Sequence, residues 1–196
     1  TSGGSWLSGA SAVNGNIAVS SVSGYAPYLF NVNFISEIGS MWHYADGKYH
    51  YNGNISTRND ADGMYLVDSS ATVYLYSRDV DITVLPNAPI DSITGLPVPT
   101  IAAATGQGVY VIRDDGRVVS GFTAAVNHPI LTVDFNENQD VVAQTGNQGA
   151  AHSLAFLSTD GTELEQYAYH TRPQISEYMT KVVPTKGNEV AFNRCG

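Results

Sequence analysis

Glycoside hydrolysis needs two carboxyl groups facing each other across a sugar, and the chain offers Asp60, Asp62, Asp114, Asp115, Glu163 and Glu165 as candidates. Nearly all of them stand in or beside turn sequences. There an Asp side chain hydrogen-bonds its own backbone and tolerates unusual dihedral angles. They read as turn formers, not as an acid and base pair.

Asp60-Ala61-Asp62-Gly63 has the opening spacing of a calcium loop. Arg58 stands at the first ligand position and no Glu follows at the bidentate one. A calcium site of another geometry on Asp60 and Asp62, with Asp68 or Asp46 approaching from elsewhere, is the metal expectation; no other cofactor is implied. His43, His50, His128, His152 and His170 lack the short spacing of a transition-metal site, although His43 and His50 flank one hairpin. A Gly-x-Ser-x-Gly elbow, a Walker loop and a dinucleotide fingerprint are all missing. No catalytic constellation emerges, and the reading is non-enzymatic.

The best binding candidate is Met41-Trp42-His43-Tyr44-Ala45-Asp46-Gly47-Lys48-Tyr49-His50-Tyr51, a hairpin around Asp46-Gly47 with aromatic residues on both strands. Strand alternation puts Trp42 and Tyr44 on one face and the histidine on the other. Trp42, Tyr44, Tyr49 and Tyr51 are thus a candidate surface for stacking on sugar rings or facing a neighbouring subunit, with packing inside the fold as the alternative.

The elements that must position these residues are short and β-rich. No window keeps apolar residues at helical spacing, and runs such as Tyr65 to Val67, Val73 to Tyr76, Ile82 to Leu85, Val109 to Ile112 and Leu131 to Phe135 alternate with turn residues. Short strands with tight turns predict an antiparallel meander.

Aligned on itself, the chain shows similar strand starts at Asn16, Met64, Thr100, Asp140 and Glu189. The interval is roughly forty residues. A second apolar run follows most of them, and in two copies it leads to Asp115-Gly116 and Asp160-Gly161, read as type I′ hairpin turns. Units of this size need neighbours to bury both faces, which predicts a β-propeller or propeller-like array of antiparallel blades; a β-sandwich or jelly roll is the alternative. Ala102, Ala103 and Ala104 suit a crowded position. Residues 1–62 are expected to form a divergent blade or small β-module, and 63–196 the propeller-like repeats.

Pro86, Pro89, Pro97 and Pro99 mark a stiff connection before the third start. The final run from Glu189 opens like another strand, so the expectation is a segment of something longer.

Composition narrows the setting. Hydrophobic residues make up 43% and charged residues 14%, which describes a folded chain with an uncharged polar surface of the kind extracellular proteins and virions carry. The net charge of -9 repels phosphate backbones and anionic membranes, so neither nucleic acid nor membrane insertion is expected. Cys195 is the one cysteine, which leaves no intrachain disulfide.

The stretch from Asp91 through Thr105, continuing through Gly108-Val109-Tyr110-Val111-Ile112-Arg113-Asp114-Asp115-Gly116-Arg117-Val118-Val119, resembles propeller-type repeat regions of large virion proteins of marine tailed bacteriophages. The resemblance implies a structural or adhesive virion protein, of the tail, a fibre or the capsid surface, and transfers no catalytic residues. Its implied partners are other virion subunits, as a homo-oligomer, and a host-surface glycan. The alternative is a secreted or periplasmic propeller enzyme or sensor.

Overall fold

The computed structural model describes residues 6–22, 28–51, 53, 57, 63–73, 76–123, 129–145, 152–157, 159 and 163–169. These are all-β: every regular element among the described residues is a strand, and all pairings are antiparallel.

Three meander sheets follow one another along the chain. The first has six strands in sequence order: β1 (Trp6–Val13), β2 (Asn16–Val22), β3 (Tyr28–Asn33), β4 (Ile38–His43), β5 (Gly47–Tyr51) and β6 (Met64–Asp68). The second is β7 (Asp79–Thr83), β8 (Thr100–Ala104), β9 (Gly108–Ile112) and β10 (Val118–Thr123), and the third is β11 (Ile130–Phe135), β12 (Val141–Thr145), β13 (His152–Leu157) and β14 (Glu163–Tyr169).

Against this order, the self-alignment is in register at Asn16, Thr100 and Asp140, which open or immediately precede the second strand of each sheet. Met64 is the exception. It starts β6, which pairs with β5 and so belongs to the first sheet. Val73 to Tyr76 is likewise no strand at its described ends; Val73 is buried in a segment that returns from β6 to β7. The turn at Asp115-Gly116 also differs from the expected type: Gly116 alone has positive φ, at 86°, and Gly116 N donates to Arg113 O. That is a type I turn closed by a bulge, not a I′ turn. The I′ geometry belongs instead to Asn14-Gly15 between β1 and β2, with φ values of 48° and 73°.

The proline-rich stretch joins β7 to β8 within one sheet. It doubles back on itself through an Ile90–Pro97 bridge and an Asp91 carboxylate that accepts from the N–H groups of Ile93 and Thr94.

The middle sheet is packed on both faces. Ala102, Ala104, Val109 and Val111 meet Ile130, Val133, Val141 and Ala143 of the third sheet. Their alternates Ile101, Ala103 and Ile112, with Val80 and Ile82, meet Ala18, Leu29 and Trp42 of the first. β8 is therefore buried at every position. Its alanines let two sheets press on it at once.

The first strands of the three sheets lie side by side, β7 between β1 and β11. Two carboxylates fasten them. Asp79 accepts from Val133 N at 3.1 Å, and Asp81 accepts from Phe135 N at 2.9 Å on one oxygen and from the Ser11 hydroxyl at 2.7 Å on the other. Charge-assisted bonds of this kind replace the ladder that these strands do not share. Gly9 of β1 faces Asp79, and any side chain there would collide with the carboxylate.

Candidate functional site

The aromatic hairpin forms as expected, with β4 and β5 paired from His43–Gly47 to Gly39–Tyr51. Its turn is made by Tyr44, Ala45 and Asp46, and Gly47 follows with φ of 101°. Gly47 is required twice over: by that backbone angle, and because Asp68 and Ser69 pass where a Cβ would sit.

The register separates the four candidate aromatics. Trp42 points to the middle sheet and is 3% exposed, so it belongs to the core and shares no surface with the tyrosines. The Lys48 ammonium lies 5.3 Å from its ring centre at the open end of that packing. Tyr49 and Tyr51 stand on the opposite face of the sheet, and Tyr44 is on the turn. The Tyr51 hydroxyl donates to the Thr57 carbonyl, and the backbone at Gly53 and Gly63 lies against its ring. That ring is held down by the following loop.

What the fold does assemble is a cluster at the turn end of the outward face. The rings of Tyr28 and His43 are 5.5 Å apart, those of His43 and Tyr44 4.6 Å, and those of Tyr28 and Phe30 5.5 Å. Asp46 anchors it. Its carboxylate lies 2.7 Å from His43 Nδ1, without the angle of a good hydrogen bond, and it accepts from the Tyr49 hydroxyl. Desolvation pushes the Tyr49 phenol above its ordinary range, and the Asp46 charge adds to the shift. The phenol therefore remains a neutral donor. Tilted rings beside a carboxylate suit the apolar face and hydroxyls of a sugar ring.

Tyr28 and Phe30 were not among the residues singled out from sequence, and Asp46 was read there only as a turn residue and an approaching calcium ligand. Strand β3 reads Tyr-Leu-Phe-Asn-Val-Asn, and its alternation would have given Tyr28 and Phe30 a common face. Only the pairing Tyr28–His43 brings that face to the hairpin.

His43 and His50 fall on opposite faces and do not meet. His50 lies under Tyr65, with ring centres 6.3 Å apart, and burial together with the Lys48 charge lowers its pKa. Asp68 bonds Ser70. Asp60 and Asp62 lie outside the described residues, among which no three His, Cys, Asp or Glu side chains are grouped to hold a metal ion.

The outward face of the first sheet extends well beyond this cluster. One row crosses all six strands as Ala10, Val19, Phe30, Met41, Tyr49 and Leu66. The row beside it reads Ala12, Ile17, Val32, Gly39, Tyr51 and Met64. Neither row contains a charged residue. No protein-family model, curated protein or solved structure matches the chain.

Proposed function

We propose that the chain is a structural or adhesive virion component of a tailed bacteriophage, a propeller-like array whose sheets act as blades. The observation that carries the array is the convergence of β1, β7 and β11, tied by Asp79 and Asp81 while successive meanders stack face to face. Scaffolds that hold neighbours in register need this stiffness. The virion setting draws on the resemblance over residues 91–119 and on a surface poor in charge.

The sheets serve subunit contacts, and the cluster of Tyr28, His43, Tyr44 and Tyr49 serves a host-surface glycan. Mass spectrometry of gradient-purified particles tests the setting: the chain is expected to band with particles, and its recovery only from a secreted or periplasmic fraction would favour the propeller enzyme or sensor. Tyr44→Ala and Tyr49→Ala are each expected to weaken binding to host-surface polysaccharide about fivefold, since a stacked ring contributes roughly 1 kcal/mol. Unchanged binding by folded variants would remove the site.

A further inference from the structure

The first sheet is apolar on the side that no other sheet covers. Two of its outward rows are free of charge, whereas its inward face carries Lys48, Asp68 and His50 beside Trp42 and Leu29. The third sheet ends the stack differently: its outward positions mix Thr132, Asp134 and Gln144 with Val142, so that face carries a charge. The other end leaves Val32, Met64 and Leu66 exposed at 37%, 40% and 47%.

We infer that a second copy of this chain covers this face, packing first sheet against first sheet across a two-fold axis. Three observations select that occupant. A chain of net charge -9 repels its own copies, and a patch without charge is where that repulsion costs least. The face is also large enough. Six strands at about 4.8 Å spacing and about 17 Å of length offer about 500 Å² per copy, and about 1,000 Å² in a pair meets the lower bound of a specific contact.

The third observation is shape. Size grades across the face, from Ala10 and Ala12 on β1 to Leu66 and Met64 on β6. A two-fold axis along the strands, between β3 and β4, lays β1 of each copy over β6 of the other. Ala12 then meets Met64 of the second copy and Ala10 meets Leu66, so small residues receive large ones. An axis across the strands would instead oppose large to large along β6. Tyr28, His43 and Tyr44 stay at the turn end, beside the contact, while Tyr49, bonded to Asp46, stands at its rim. This inference deepens the subunit-contact reading and rests on it for the expectation of a homo-oligomer. A monomeric chain that still bands with particles would defeat the dimer and not the virion setting.

Sedimentation of the full 196-residue chain across a concentration series is expected to show a dimer. Val32→Glu and Leu66→Glu, both at exposed positions, are each expected to weaken association at least about tenfold while far-ultraviolet dichroism stays unchanged. A chain that remains monomeric at about 100 µM overturns the proposal, as does a dimer indifferent to both charges. The axis is tested separately in a Cys195→Ser background. β1 and β6 of one copy are about 24 Å apart, at five strand spacings. A short bismaleimide can therefore join Ala12→Cys to Met64→Cys only between copies. Crosslinked dimer from the double variant, and not from either single one, is expected. Efficient crosslinking of Ala12→Cys alone would place β1 over β1 and overturn the arrangement.

Discussion

The two faces of the first sheet are built from the same six strands and differ in what holds them. The inward face mixes Ala18, Leu29 and Trp42 with Ser11, Lys48, His50 and Asp68, yet it is the one packed in the core. The outward face has two uncharged rows that stay half-buried at best, with His43 and Asp46 at its turn end. Geometry explains the inversion. The middle sheet has four strands and cannot cover six, so β5 and β6 overhang it. Ala71 and Val73 of the returning segment fill part of the gap. Polar residues on the inward face sit where cover ends or where a carboxylate supplies partners. Apolar content alone does not tell which face of a sheet is the core.

The comparison breaks most visibly at Trp42. Trp42→Ala, on the packed face, is expected to lower unfolding free energy by about 3–5 kcal/mol in urea denaturation. Leu66→Ala, on the open face and 47% exposed, is expected to cost less than about 1 kcal/mol. Similar losses at the two positions would mean that the outward face is buried within a single chain. Next comes the carboxylate junction. Asp81→Ala leaves the Phe135 N–H and the Ser11 hydroxyl without their acceptor. It is expected to cost about 2–3 kcal/mol. A neutral result would show that the leading strands are held by apolar packing alone.

That junction also marks where the sequence stops being readable. Asp79 and Asp81 look like turn residues by local chemistry, so the strand was expected to begin at Ile82 and instead begins at Asp79. Their partners lie 54 residues downstream, out of reach of any local pattern. The reverse error occurs at Val73. Its β-rich surroundings report burial correctly, but burial is not pairing. Strands β8, β9, β11 and β12 were legible because short β-rich runs stand between turn residues there, and the alanines of β8 announced crowding. Asn14-Gly15 went unremarked because its flanking strand Trp-Leu-Ser-Gly-Ala-Ser-Ala-Val shows little alternation. At the candidate site, Tyr44 and Tyr49 could be found from one hairpin. Tyr28 could not, since a residue joins a neighbour's face only through register.

Smaller effects test the overhang itself. Lys48 loses hydration beside Trp42, which lowers its pKa more than Asp68 raises it. Lys48→Met keeps the packing and removes the charge, so stability is expected to change by less than about 1 kcal/mol, in the stabilising direction. A clear loss would mean that the cation over the ring outweighs its desolvation.

The smallest effect is a dependence on pH through His50. Burial is the main cause of its lowered pKa and the Lys48 charge adds to it, so the unfolded chain binds the proton more tightly than the folded one. The contribution of His50 is therefore fully present above the unfolded value of 6.5 and declines as pH falls from there through the folded pKa. Asp68 and Asp115, held below 3.8 by hydrogen bonds to Ser70 and Arg117, titrate in a lower window and leave this one clear. Denaturation midpoints measured between about pH 7 and pH 5 are expected to fall in the parent chain and to fall less in His50→Gln. Equal slopes would place His50 in full contact with water, and the overhang would then shelter nothing beyond Trp42.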